Sequence, residues 1–496
     1  MASMAFARLI RWLFWGAMTL GLVISCWLSS QLWPRPLVVG RSTTYLTGPL
    51  RPDGTVDYVA ALDAKLAEGV TYENNAAVPL IAACGPELIE AWHREEVFKR
   101  LGLHVPESSA ADLQSPDAFA KPWEQGDAAV AALHVSVARA LRSPWRSEDN
   151  PMLAACLVHN RAALAHCVAG SQRSRFYLPL PRKDDESYLS TPTRSLQYLR
   201  AVAHLLALRT TWFIGQGDIN GALADTLALH RWARLMAQYP SIVSRLTAHA
   251  IESLAVDGDF LIILTGQLSA DQADRHAAVL AALPNYIVLA DLLDYGDRCH
   301  TLSLLQLLES HDPYLIFPVD RTTLLTRTYQ VFDECVQVLR SGGFKSQQMA
   351  LGQIAATQRR EGQANWPSNV RAMVAPTTTL SESLSSRYAT QSVTVWQGVL
   401  TSEYRQQTQQ RALQIGYALA RHRATHGVFP NALADLVPTY LPELPNDTFT
   451  AQPFRYELRP DHQKFLLYSL GPNGQDDQGH STSPADDIAW GDVRQD

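Results

Sequence analysis

Residues 429–480 read FPNALADLVPTYLPELPNDTFTAQPFRYELRPDHQKFLLYSLGPNGQDDQGH, and ADDIAW follows at 485–490. Phe454, Tyr456 and Leu458 alternate with Arg455 and Glu457, the period of a strand with one buried face. Phe465–Leu470 is apolar nearly throughout, so this strand is expected to be buried on both faces. Arg459-Pro-Asp-His462 supplies the turn of a β-hairpin between them. Upstream, Asn431 caps a short helix that Pro438 ends. Downstream lies an acidic, Gly-rich loop. This end of the chain therefore reads as a small α+β unit.

The chain before it reads as helix. A long helix is expected from about Val393 to His426, with Leu413, Gly416, Tyr417, Ala420 and Ala424 forming one apolar stripe. Arg421, His422, Arg423 and His426 crowd its last turns, where cations oppose the negative end of the dipole. Gly427 suits the position just past the end. Ser195–Gln267 is the strongest helical block, a hairpin that turns at Gly215-Gln-Gly-Asp218. It is similar to one tetratricopeptide hairpin, but the pattern does not recur at the ~34-residue period such arrays need. Ser269-Ala-Asp-Gln272 is a capping box. Further helices are expected at Val56–Ala67, Tyr72–Cys84 (capped by Thr71), Pro86–Leu101, Asp127–Leu141, Pro151–Ala169, Leu289–Glu309 and Thr322–Leu339. Pro-bearing connections separate them at 102–127, 174–194 and 311–320, and residues 341–387 alternate between polar helix and loop.

At the other end, Trp12–Pro34 spans 23 positions without a charged residue. About 20 apolar residues cross a bilayer as a helix. Trp12 and Trp15 flank one end, Trp27 and Trp33 the other, as interfacial aromatics do. Arg8 and Arg11 precede the segment and favour a cytoplasmic N-terminus, although Arg35, Arg41 and Arg51 follow it. A cleaved signal peptide would need an A-x-A-like site, which is missing. Cys26, after Val23-Ile24-Ser25, leaves a lipid anchor as the alternative to an uncleaved span.

The domain organisation follows: a stub and transmembrane anchor (1–35), a linker (36–53), an α-helical exported body (54–388) and the α+β end (389–496). With 47% apolar and 18% charged residues, a sizeable folded core is expected. The net charge of −6, with no Lys/Arg run longer than two, argues against nucleic acid as a partner. Of the six cysteines, five lie outside the anchor and none forms a C-x-x-C pair, which excludes a zinc ribbon on spacing. Cys156 and Cys167, on one expected helix, would stand about 16 Å apart along its axis, too far to bridge. All five read as small buried apolar residues.

Chemistry is concentrated in the acidic loop. Asn473, Asp476, Asp477, Asp486 and Asp487 offer the oxygen ligands that calcium prefers. Gly474 and Gly479 let the backbone fold around an ion. The order is not that of an EF-hand, and a solvated acidic tail is the bland alternative.

LYSLGPNG (467–474) and DDIAW (486–490) resemble the C-terminal domain of the major pseudopilin of type II secretion, where the last strand enters a calcium-holding loop. The resemblance covers roughly the last fifth of the chain. It implies that the Leu470 carbonyl, Asn473 and Asp487 are ligands, with Asp476, Asp477 and Asp486 as further candidates. Asn473 stands where that family usually has Asp, which removes a charge. The family's N-terminal Gly-Phe processing site and the Glu after it are missing, so pilin-like polymerisation is not expected. Residues 70–86 (VTYENNAAVPLIAACGP) and 144–170 (PWRSEDNPMLAACLVHNRAALAHCVAG) resemble segments of a family of bacterial membrane proteins to which no activity is attached.

In the body, Glu90/His93 with Glu96, His249/Glu252 and Asp297/His300 stand at helical i, i+3 spacing. Such pairs build metal sites in helical bundles, so a metal-dependent periplasmic enzyme is the alternative reading. Caps, ion pairs and satisfied buried His are the favoured reading, since the number of such pairs is only slightly above chance. Nucleophile elbow, zincin and Walker A motifs are missing. The sequence thus points to a mainly α, single-pass protein of a bacterial inner membrane with its bulk in the periplasm. Its expected role is non-enzymatic, binding an envelope protein, in a secretion or pilus-like apparatus, with calcium at the C-terminal loop.

Overall fold

A computed structural model describes residues 2–32, 36–106, 113–121, 127–180, 193–307, 319–363, 375–481 and 486–492. Parts of the expected connections (107–112, 122–126, 181–192, 308–318 and Pro367) lie outside these residues, as do Trp33–Arg35. The chain is mainly helical, with one small antiparallel sheet near the C-terminus.

Helices run in chain order as α1 (Ala2–Leu32), α2 (Tyr58–Ala67), α3 (Ala77–Cys84), α4 (Arg94–Arg100), α5 (Pro116–Ala120), α6 (Asp127–Arg142), α7 (Pro151–His159) and α8 (Arg161–Ser171). Then come α9 (Thr193–Gln216), α10 (Ile219–Met236), α11 (Ile242–Thr265), α12 (Ala270–Ala281), α13 (Leu289–Asp291), α14 (Arg298–Leu305), α15 (Arg321–Leu339), α16 (Phe344–Glu361) and α17 (Pro376–His426). Over the described residues no single helix is long and apolar enough to cross a membrane. Of the expected N-terminal span the structure therefore gives α1 itself, with Trp12, Leu13, Phe14, Leu20 and Val23 exposed.

Several elements differ from expectation for local reasons. Thr71 and Asn74 exchange side chain-to-backbone hydrogen bonds in a turn, so α3 begins only at Ala77. Pro86–Leu101 breaks into two 3-10 turns and the short α4. The expected helix over 151–169 is two helices bent by 62° at Asn160. Asn160 causes the break by donating to the Gln114 and Cys156 carbonyls (both 2.9 Å). Cys156 and Cys167 are nonetheless buried, like Cys84, Cys299 and Cys335. Between α13 and α14, Leu292–Asp297 forms a π-helical turn.

The largest correction is α17. Instead of starting near Val393, it begins with Pro376 at its first position and runs 51 residues, continuous through residues 388 and 389. Pro is favoured at a helix start because its missing N–H is not needed there. The Ser/Thr-rich stretch that follows looks unhelical in isolation. Its hydroxyls are satisfied along the helix, Ser381 Oγ donating to Thr377 O, and Thr390 and Thr394 Oγ1 donating to Ser386 and Thr390 O (each 2.8 Å). Gly427, with φ +80°, terminates it as expected.

The sheet comprises β1 (Arg455–Leu458), β2 (Phe465–Ser469) and β3 (Ile488–Gly491), in the order β1-β2-β3. β2 is central, which is why all five of its residues are buried. Phe465 and Leu467 join Ile488 and Trp490 in one hydrophobic core with Phe260 and Ile263 of α11 and Leu413 and Leu419 of α17. Gly416 makes that approach possible, since a Cβ there would lie 2.9 Å from the Phe260 ring. The opposite face carries Leu466, Tyr468 and Leu470. The acidic loop folds back over this second face, and Gly479 comes so close that a Cβ would sit 3.0 Å from Leu466 Cδ2.

Candidate metal centre

Leaving β2, the chain turns at Gly471 (φ +62°), Gly474 (+69°), Gln478 (+58°) and Gly479 (+80°). These left-handed residues coil the loop so that its start and its return, just before β3, face each other. Gly471 is fixed by this approach, since a Cβ would lie 2.2 Å from the Asp486 carbonyl oxygen.

Asp477, Asp486 and Asp487 converge. One carboxylate oxygen from each lies within 4.8 Å of the others, which makes them the one such group of three His, Cys, Asp or Glu among the described residues. Asp487 is fully buried. Its Oδ2 accepts from the Asp477 N–H (3.0 Å) and the Gly479 N–H (2.8 Å). Its Oδ1 is buried with no hydrogen-bond partner among the described residues, and so is Oδ1 of Asp486. Asp486 Oδ2 accepts from the Asn473 N–H (3.1 Å), and Asp477 Oδ2 accepts from the Asp486 N–H (3.2 Å). The backbone thus orients all three carboxylates and leaves two buried oxygens facing no donor.

The charges respond accordingly. Burial lifts the Asp487 carboxyl to about 6, against the Gly479 N–H that lowers it, and neighbouring Asp477 adds to the rise. Burial also raises Asp486, opposed by the Asn473 N–H. A cation would relieve both effects, because unpaired buried charge is costly and a hard divalent ion takes oxygen ligands of this kind.

The other expected ligands are placed as follows. Asn473 is at the site's edge, but Nδ2 donates to Asp477 Oδ2 (3.1 Å) and Oδ1 accepts from the Gln475 N–H (2.6 Å). Asp476 stands outside the cluster. It accepts from Tyr468 Oη (3.1 Å) and pairs with Arg455 (3.5 Å). Leu470 ends the buried strand run one residue before the Gly471 turn, packed with Leu466 and Tyr468.

In the body, the sequence-adjacent His and carboxylate groups take partners from elsewhere in the fold, though Glu90 still favours the charged form of His93. Glu90 lies against Arg194 (3.5 Å), while His93 is buried beside Trp92, ring centroids 4.4 Å apart. Asp297 accepts from Trp396 Nε1 (2.8 Å). His249 turns to Glu403 of α17 (3.3 Å), and Glu252 turns to His230 of α10 (3.1 Å) and to Arg234. Sequence reading missed His230, Arg234, Asp259 and Glu403. The available signal was spacing alone: His230 and Arg234 at i, i+4, and Glu252 and Asp259 at i, i+7, each share a face.

Compared with protein-family models, curated proteins and solved structures, the chain matches none.

Proposed function

We propose that this is a membrane-anchored protein of the bacterial envelope that docks a protein partner, its C-terminal loop stiffened by calcium. The observation that carries the reading is the convergence of Asp477, Asp486 and Asp487, with two buried carboxylate oxygens that no donor among the described residues meets. Asn473 and the Leu470 carbonyl complete the candidate ligand set, and Asp476, held by Tyr468 and Arg455, stands outside it. The ion's role would be structural, since it would tie the loop's two limbs together over the sheet.

Two further features support the reading. LYSLGPNG and DDIAW resemble the calcium-loop segments of major pseudopilins, which suggests a secretion or pilus-like apparatus as the setting. In the sequence, the 23 uncharged positions Trp12–Pro34 are bracketed by tryptophans, and Trp12, Trp15, Leu20 and Ile24 are exposed, which supports an anchor.

The test uses the full chain in detergent, because α17 is continuous into the C-terminal unit. Melting temperature is followed with calcium and with a chelator. A calcium-dependent rise, abolished in Asp487→Asn, supports the loop as an ion site. No shift at millimolar calcium reduces it to an acidic turn. Extraction of the chain from membranes by carbonate alone would remove the anchor reading.

A further inference from the structure

Two adjoining cavities of about 150 Å³ and 280 Å³ lie along one side of α17 and share Asn285 and Gln410. The inner cavity is bounded by α10, α11 and α12 through Arg234, Glu252 and Leu280. The outer one opens past Tyr286, Leu400 and Tyr404. Together they make a cleft along residues 403–417 of α17, about 20 Å of helix.

The cleft's charges are already spent inside the protein. Arg234 pairs with Glu252, which also meets His230, and Glu403 lies between His249 (3.3 Å) and Arg245 (3.8 Å). What remains is carboxamide. Gln406, Gln410 and Gln414 recur at i, i+4 and i+8 and so share one face of α17, with Gln407 beside them and Asn285 opposite. Gln406 is 1% exposed, yet its Nε2 has no hydrogen-bond partner among the described residues. A buried N–H₂ without an acceptor costs free energy.

A side-chain carboxamide offers one acceptor oxygen and two donor hydrogens. A peptide backbone offers alternating acceptors and donors without net charge. We propose that this cleft binds an extended, uncharged stretch of another polypeptide, its main-chain amides met by Gln406, Gln410, Gln414 and Asn285. At about 3.3 Å per extended residue, the cleft holds roughly six residues. A phosphate, nucleotide or other strongly anionic ligand is disfavoured, because no cation lining it is left unpaired. The site names a contact for the partner proposed above and rests on that partner reading, but it owes nothing to the calcium loop.

The probe is a library of N-acetylated, C-amidated hexapeptides of small and aliphatic residues, titrated against the full chain in detergent. Saturable binding is expected, weakened at least tenfold by the double substitution Gln410→Ala/Gln414→Ala. Photoreactive peptides should crosslink within residues 285–289 or 403–414. Binding unchanged in the double variant, crosslinks elsewhere, no saturable binding, or tighter binding of a chitin oligosaccharide would overturn the proposal. Should the double variant fail to melt like the parent, the crosslink map decides. Loss of peptide binding with the calcium response intact would sink this inference alone.

Discussion

Glu252 meets His230 on the neighbouring helix, not His249 one turn away on its own: Glu252 Oε1 is 3.1 Å from His230 Nδ1. On the ring's other side, His230 Nε2 lies 2.9 Å from Asp259 Oδ2. All three side chains are essentially buried, so an imidazolium is clamped between two carboxylates in the interior. Burial pulls the imidazole toward neutrality, but Glu252 and Asp259 outweigh it and lift its pKa to about 9. Burial raises the Glu252 carboxyl, yet His230 and Arg234 win and bring it down to about 2.

The pH dependence of stability follows from those directions. An unfolded His titrates near 6.5, so the contribution of His230 is full below that value and is lost as pH rises through about 9. Glu252 contributes above the unfolded carboxylate value of about 4.3, and its share is lost as pH falls toward about 2. Melting temperature should therefore fall on the alkaline side between about pH 6.5 and 9, and His230→Gln should flatten that limb. An alkaline limb identical in the variant would show that the clamp is not the titrating element. Glu252→Gln should cost more than His230→Gln, on the order of 3–5 kcal/mol, because it strands a buried Arg234 and a charged His230 together.

Trp490 of β3 stacks on Phe260 of α11, ring centroids 5.6 Å apart and planes at 18°. This contact joins the last strand to the helical body within one hydrophobic core. Trp490→Ala should cost about 3–5 kcal/mol. Because the core is shared, the parent should melt in one transition by both far-UV and tryptophan signals. A separate, low-temperature transition for the sheet in the parent would contradict the shared core.

Much of this fold was legible, and the exceptions are physical. The strand readings over 454–470 place β1 and β2 within a residue, although β1 lacks the expected alternation in burial, with Tyr456, Glu457 and Leu458 all half-buried at the sheet's edge. The Ser269 capping box and the Gly427 terminator are local signals and are found where expected. The bend at Asn160 and the π turn at Leu292–Asp297 are not local: each depends on atoms far away in sequence. The candidate site divides in the same way. Asp477, Asp486 and Asp487 could be named from composition and spacing, but Asp476 is drawn away by Tyr468 and Arg455, which no spacing rule shows. The His230 clamp was invisible because its three members come from two helices, and only packing selects their partners.

Gly296 tests the tertiary origin of the π turn. A Cβ there would lie 2.0 Å from the Pro240 carbonyl oxygen, backbone that cannot swing away as a side chain could. Gly296→Ala should therefore destabilise by roughly 1–3 kcal/mol through overpacking, although Ala favours helix over Gly. Gly398 on α17, where a Cβ meets nothing within 4 Å, is the control. Gly398→Ala should be neutral or stabilising by up to about 1 kcal/mol. Urea denaturation of both variants makes the comparison. Equal effects would mean that helix propensity, not contact with Pro240, decides.

Asn473→Asp is the sharpest probe of the acidic loop. In the parent, Asn473 Nδ2 donates to Asp477 Oδ2 (3.1 Å), a bond that a carboxylate cannot make. Without calcium, the variant adds a fourth negative charge beside Asp477, Asp486 and Asp487 and loses that donor, so it should melt below the parent. With calcium the sign reverses, because each added carboxylate strengthens a hard-cation site. The variant's calcium-dependent rise in melting temperature should exceed the parent's, and its apparent Kd should fall several-fold. Asp476→Asn, outside the cluster, should leave the calcium response within about twofold of the parent. If Asn473→Asp is destabilised equally with and without calcium, the loop does not hold the ion, and the two unpartnered oxygens must be explained by protein contacts alone.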